Sequence, residues 1–153
     1  MADEYAHYFV PIDCTPDAQR HAPTLARFVA AQPCKVTLAA VITPTPDAET
    51  RRKRKAHAQE ALNRIATTLY NVYGIYTYDR IVEGTDHATA FAEESRSPNA
   101  RYDRIILGAY QTRPEEREDL EAPCLGSLAD RISQKSRLPV VILPFPTVTE
   151  RPL

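Results

Sequence analysis

Short apolar runs alternate with longer amphipathic stretches along the whole chain, and this alternation limits the fold more than any other feature. Tyr8-Phe9-Val10-Pro11-Ile12-Asp13 reads as a first strand ending in an acid. A helix capped by Thr15 or Asp17 follows, from Ala18 to Ala31, with Ala22, Leu25, Ala26 and Val29 on one face. Lys35 to Ile42 is the second strand, closed by Thr43-Pro44-Thr45-Pro46. Asp47 then caps the longest helix, whose apolar stripe is Ala58, Leu62, Ile65, Ala66, Leu69 and Tyr73. Tyr78 to Gly84 forms a third strand, Thr85 or Asp86 opens a helix to Arg96, and Tyr102 to Gly108 forms a fourth strand. A polar connection from Ala109 to Pro123 leads to a last helix, Leu125 to Ser136, and a last strand, Pro139 to Leu143. From Phe145 onward the chain reads as a loose tail.

Strands separated by helices are βαβ units, so the expected fold is α/β: a doubly wound, five-stranded parallel sheet with helices on both faces. Pro11 removes a ladder donor and is therefore expected at a strand end. The third and fourth strands nearly repeat one another at an offset of 24 residues, and each leaves through a glycine. Both are expected to meet the same environment. At 153 residues the chain has the length of about one domain, residues 1–153 with a core over 8–144. A hydrophobic share of 43% makes a packed core available. Net charge is −1, which supplies no global attraction for nucleic acid or anionic lipid. No apolar run approaches the ~18 residues of a membrane span. The opening Met-Ala-Asp-Glu-Tyr-Ala-His has neither the basic lead nor the apolar stretch of a signal peptide, so a cytoplasmic protein is expected.

Right-handed crossovers put every strand-to-helix loop on one edge of such a sheet, and ligands sit at that carboxyl edge where the winding direction reverses. Asp13, Cys14, Val41, Thr43, Glu83, Gly84, Leu107 and Gly108 collect there, together with Gly126-Ser127 at the start of the last helix.

Four pieces stand in order along the chain: Val-Pro-Ile-Asp ending the first strand, Asp-Arg-Ile-Ile-Leu-Gly in the fourth, a later Gly-Ser opening a helix, and a closing Leu-Pro-Val-Val-Ile-Leu-Pro. Together they resemble the universal stress protein family, over residues 8–144. The resemblance implies strand order 3-2-1-4-5, with the reversal between strands 1 and 4. It also implies a site. Nucleotide-binding members carry Gly-x2-Gly-x9-Gly-Ser/Thr after the fourth strand, where glycines admit phosphate to the backbone and a helix N-terminus offers free amides. Gly108 matches the first glycine, and Gly126 with Ser127 the last pair. Carried over, Pro11, Asp13 and Val41 line the adenosine side, with Asp13 as proton acceptor, while Leu107, Gly108, Gly126, Ser127 and Leu128 follow the ribose and phosphates. The implied ligand is ATP or AMP.

Two departures make that pocket degenerate. Gln111 stands where the motif has its second glycine, and the loop is five residues longer than the motif's. Glu115, Glu116, Glu118, Asp119 and Glu121 face only Arg113 and Arg117, so a triphosphate would sit under a net negative lid. Two like charges at 4 Å repel by ~4 kcal/mol at an effective dielectric of 20, a penalty that vanishes if the acids point into water. Tight ATP binding is therefore disfavoured, and AMP or an ATP held differently remains.

Other features read as structural. Arg51-Arg52-Lys53-Arg54-Lys55 spreads around more than one helical turn without aromatic neighbours, which fits a solvated helix start better than a nucleic-acid surface. His7, His21, His57 and His87 show no metal-ligand spacing, and no metal is expected. Tyr70, Tyr73, Tyr76 and Tyr78 read as helix-to-strand packing. Cys14 and Cys124 lie near helix starts at the reversal and could respond together to oxidants, whereas Cys34 lies on the opposite edge.

The expected function is a universal-stress-protein-like stress-response module, dimeric and not a dedicated enzyme, with a degenerate adenine-nucleotide pocket. Slow ATP hydrolysis has no base or metal ligand that the sequence names. The alternative is a nucleotide-free interaction module whose contact surface is the acidic loop 114–121. Val140, Val141, Ile142 and Leu143 are apolar and, in the family's strand order, form an edge, so a homodimer through this strand is expected. A further protein partner is compatible with either reading; nucleic acid and membrane are not expected partners.

Overall fold

A computed structural model of the chain describes residues 5–12, 22–98, 100–108 and 127–143. The strands are β1 (Ala6–Pro11), β2 (Cys34–Ile42), β3 (Tyr78–Glu83), β4 (Arg104–Gly108) and β5 (Val140–Leu143). The helices are α1 (Ala22–Val29), α2 (Ala48–Tyr73), α3 (His87–Ser95) and α4 (Ser127–Lys135). All strands pair in parallel, in the order β3-β2-β1-β4-β5. The expected architecture and order both hold. Among the described residues no helix is long and apolar enough to cross a membrane. Asp13, Cys14, the Thr15 and Asp17 caps, His21, the 109–126 connection with Gln111, Cys124 and Gly126, and the tail from residue 145 lie outside the described residues.

Strand periodicity of two divides the core into two clusters. Tyr8, Val10, Val36, Leu38, Ala40, Ile42 and Ile106 point to one face, where they meet Leu25 and Val29 of α1 and Leu62, Ile65 and Leu69 of α2. Phe9, Ala39, Val41, Ile105 and Leu107 point to the other, against Phe91 of α3 and Ala129 and Ile132 of α4. The crossover rule explains the division. β1–β2–β3 wind one way, placing α1 and α2 together; the return across β1 to β4 reverses the direction and moves α3 and α4 to the opposite face. Phe9 anchors the second cluster with its ring 4.8 Å from Tyr102 and edge-on to Phe91 at 6.2 Å.

α2 carries both of its stop signals. The Asp47 carboxylate accepts from Thr50 N–H at 3.1 Å and from the Thr50 hydroxyl, bonds that hold its pKa below the usual value. Gly74 ends the helix at φ 70, its N–H donating to Tyr70 O at 2.9 Å while Ile75 N–H reaches Leu69 O at 3.0 Å. Ala58, Leu62, Ile65 and Leu69 of the expected stripe are buried, joined by Ala61. Tyr73 is not part of it. Tyr70, Tyr73, Tyr76 and Tyr78 are all exposed, with Tyr70 and Tyr76 packed ring to ring at 4.7 Å.

The near-repeat of β3 and β4 does not mean a shared environment. β4 lies inside the sheet with Ile105, Ile106 and Leu107 buried, whereas β3 is an outer strand with Tyr78, Asp79 and Arg80 exposed. Asp79 accepts from Gln59, and Arg80 pairs with Glu94 at 3.1 Å, so the outer strand carries the charge that discourages edge-to-edge pairing.

His7 ties the amino ends of three strands. Its Nδ1 lies 3.1 Å from Ala100 O and its Nε2 2.7 Å from Thr37 Oγ1. A carbonyl only accepts, so Nδ1 carries the proton and Nε2 accepts from the Thr37 hydroxyl. Burial pushes the His7 pKa below its ordinary 6.5, against the Ala100 bond, which raises it. The folded protein therefore holds His7 neutral.

Two predictions follow from these contacts. A Cβ on Gly84 would stand 2.7 Å from the Ala90 Cβ, because α3 crosses the end of β3 directly over it. Gly84→Ala should cost about 1–3 kcal/mol in denaturant unfolding, and adding Ala90→Gly should recover most of the loss. For His7, the unfolded chain takes up its proton near 6.5 and the folded chain only at lower pH. Stability should thus fall as pH drops from about 7 to about 5.5 and level off once the folded form also protonates. His7→Gln should remove that part of the slope in melting temperatures measured across the range.

Candidate functional site

The carboxyl edge is built from the ends of β1, β2 and β4, in that spatial neighbourhood. Pro11 is the last residue of β1, in register with Ala39. Ile12 N–H donates to Ala39 O at 2.7 Å. Alternate residues of a parallel strand address opposite neighbours, so Pro11 faces the β4 side with no N–H to give. That is where the winding reverses. Leu107 and Gly108 end β4, paired with Ile142 and Leu143 of β5. Leu107 is 1% exposed and packs in the second core cluster, so its backbone is the part of it available at this edge. Val41 lies one residue before the end of β2 and is 6% exposed.

Of the expected site residues, Pro11, Val41, Leu107 and Gly108 are thus brought to one edge by adjacent strands. Neighbouring strands are about 4.8 Å apart, so β2 and β4, with β1 between them, span about 10 Å, a distance a mononucleotide covers. Ser127 opens α4, with Leu128 next, on the chain's way back from this edge. Asp13 and Gly126 lie outside the described residues.

Sequence reasoning missed a concavity at this edge. A crevice of about 380 Å³ lies over the end of β2, floored by Val41 and Ile42 and walled by Thr50, Lys53, Arg54 and His57 of α2 and by His87 of α3. Its polar walls come from the basic run, which had read as a solvated helix start. In the structure this run is tied into the strand ends. Arg51 pairs with Glu83 at the end of β3, Arg54 Nη1 donates to Thr43 O at 2.8 Å, and Arg52 turns back to Glu49 at 2.5 Å. The expected division around the helix holds, since Arg52 points away from Arg51 and Arg54. The missed signal was positional: a helix entered from β2 must begin at the carboxyl edge, so a basic first turn belongs beside the ligand edge.

α3 and α4 are fixed to each other at the same edge. Asp86 precedes α3, accepts from the Thr89 hydroxyl and pairs with Arg131 of α4, contacts that hold its pKa below the usual carboxylate value. The middle of α4 is thereby held against the start of α3. Among the described residues no group of three or more His, Cys, Asp or Glu is placed to hold a metal ion.

No protein-family model and no curated protein sequence matches the chain. Solved structures do match. Universal stress protein UspA from Lactobacillus plantarum superimposes with a TM-score of 0.71 at 18% identity, over 91% of this chain and 97% of that one. The universal stress protein from Archaeoglobus fulgidus in complex with dAMP gives 0.63 at 14% identity, over 91% and 98%. A universal stress protein in complex with cAMP gives 0.62 at 18% identity, over 90% and 96%. With its parallel sheet ordered β3-β2-β1-β4-β5 and a likeness that takes in nearly all of each of these proteins, this chain has the universal stress protein fold.

Proposed function

We propose that this chain is a universal-stress-protein-like stress-response module that binds an adenine mononucleotide at the carboxyl edge of its sheet. One observation carries the reading: Val41, near the end of β2, lies in a crevice walled by Lys53 and Arg54, and the next strands over end at the same edge in Pro11 of β1 and in Leu107 and Gly108 of β4. A base would rest on Val41 and Pro11, with Asp13 accepting its proton or that of the ribose. Gly108, Gly126, Ser127 and Leu128 would follow the ribose and phosphate. Two proteins of this fold are complexes with cAMP and with dAMP, which supports a monophosphate over ATP. The rim of Lys53 and Arg54 offsets the acids of the 115–121 segment and raises the local concentration of an anion. The reading assigns no chemical step to the site; binding alone would bias a partner surface.

Isothermal titration with AMP, cAMP and ATP is the test. AMP should bind more tightly than ATP. Lys53→Gln should weaken AMP by about tenfold, and Asp13→Ala should weaken it further. Absence of heat with all three nucleotides, together with unchanged melting at millimolar AMP, would transfer the case to the second reading. That reading is a nucleotide-free interaction module using the acidic 114–121 loop, and it rests on Gln111 and the lengthened connection.

The same proposal includes a homodimer. β5 is the outer strand of the sheet opposite β3, and its Val140, Val141 and Ile142 are only half-buried, without a charged residue. Pairing with a two-fold mate would cover it. Sedimentation at micromolar concentration should give twice the chain mass, and a monomer there would remove the dimer.

A further inference from the structure

The crevice over the end of β2 is lined by four side chains that carry or can take a positive charge, and by no carboxylate among the described residues. Lys53, Arg54 and His57 come from α2, on one face of the sheet, and His87 is the first residue of α3, on the other. Lys53 and Arg54 already serve as the rim for a nucleotide. The two histidines, facing the same space from two helices, have no role in that reading.

The acids around the crevice are committed elsewhere. Asp47, ahead of α2, accepts from Thr50, and Glu49 pairs with Arg52. Glu60, less than one turn beyond His57, pairs with Arg64. Glu83 at the end of β3 pairs with Arg51. Asp86, ahead of α3, is held by Thr89 and by Arg131 of α4, with Lys135 adding to the positive field there, while Asp130 of α4 accepts from Gln134. From β2 come Val41, Ile42 and Thr43, none of them charged. Arg54 is fixed by donating to Thr43 O, a neutral carbonyl that leaves its charge in place.

His57 and His87 are exposed, and among the described residues neither has a hydrogen bond or an ion pair. Histidine is the side chain whose charge changes between about pH 5 and 8. His57 follows Lys53 by four residues, so a proton on its ring would face a like charge on the same side of the helix. His87 stands in the first turn of α3, where the positive end of the helix dipole opposes a cation. Both effects keep protons off the empty crevice. An anion bound there reverses the balance, because its charge attracts the imidazolium form. Proton and anion then enter together.

We propose that His57 and His87 are anion-contacting residues of this crevice and make nucleotide binding proton-linked, tighter at about pH 6 than at about pH 8. This depends on the nucleotide binding proposed above for the same edge, and places it under the control of pH.

The test is isothermal titration of the full chain at low salt, at about pH 6 and about pH 8, with cAMP as probe. Its phosphodiester keeps one negative charge throughout, whereas the monoester of AMP itself titrates near about 6. Uncharged adenosine controls for any effect of pH on the fold. Affinity for cAMP should rise at least about threefold from the higher pH to the lower, and adenosine should bind alike at both. Titrations between these values in two buffers of unlike ionisation enthalpy should show a net uptake of protons with cAMP. His57→Gln and His87→Gln should each reduce the gain, and the double variant should abolish it, with the melting temperature unchanged because both side chains are exposed. Equal cAMP affinity at the two pH values, an equal gain for adenosine, or a full gain in the double variant overturns the proposal and leaves nucleotide binding standing. No cAMP binding at either pH also overturns it, and if AMP fails to bind as well, the nucleotide reading falls with it.

Discussion

β1 is the strand from which the chain winds both ways. Its neighbours are β2, reached through α1, and β4, reached only after α2, β3 and α3. Tyr8 and Val10 are consequently buried on the face of α1 and α2, and Phe9 between them on the face of α3 and α4. The reversal also decides where chemistry can gather. Crossovers on the two sides of β1 leave over opposite faces of the sheet, the arrangement that opens a crevice at the carboxyl edge of such sheets. Pro11 reinforces that opening by withholding an N–H on the β4 side. Pro11, Val41, Leu107 and Gly108 reach one edge because of this topology alone.

The basic first turns of α2 are costly where they are. Cations near a helix N-terminus oppose its dipole, by about 0.3–1 kcal/mol each when exposed. Asp47, Glu49, Glu83 and the carbonyl of Thr43 offset part of this, but exposed pairs of that kind return at most about 1 kcal/mol each. Stability alone gives little reason to keep five basic residues in that place. Position supplies a reason: a helix leaving β2 starts at the ligand edge, and Lys53 and Arg54 reach the crevice above Val41. The charge that disturbs the helix is the charge that would hold an anion.

The fold was legible because periodicity reports burial directly. The two-residue alternation in Tyr8-Phe9-Val10 and Leu38-Ala39-Ala40-Val41 assigns side chains to the faces they occupy, and the stripe of α2 is right as far as Leu69. It fails at Tyr73, the last residue of α2, because periodicity cannot show that the helix ends there and leaves its final turn exposed. The site was legible only in part. Pro11, Val41, Leu107 and Gly108 could be placed at one edge by topology, but the crevice joins residues from β2, α2 and α3, and no local pattern links Val41 to His57 or His87. A cavity of about 540 Å³ at the opposite, amino edge gave no signal at all, since Tyr5, His7, Lys35, Tyr78, Arg101 and Asp103 are single residues at or just before the starts of four strands.

The near-repeat Tyr-Asp-Arg at the starts of β3 and β4 shows how one local sequence serves two ends. Both copies enter the sheet at the amino edge, and in both the Asp and Arg are exposed. The tyrosines differ. Tyr102 is buried beside Phe9 and lies 4.6 Å from the His7 ring, whereas Tyr78 faces solvent at 6.3 Å from the same ring. The difference follows from strand order: β4 adjoins β1 inside the sheet, while β3 is an outer strand with a neighbour on one side only. His7 is therefore approached by two tyrosines from the same motif, one closing the core behind it and one exposed in front. A half-buried polar ring held neutral between them separates packing on one side from an open aromatic surface on the other.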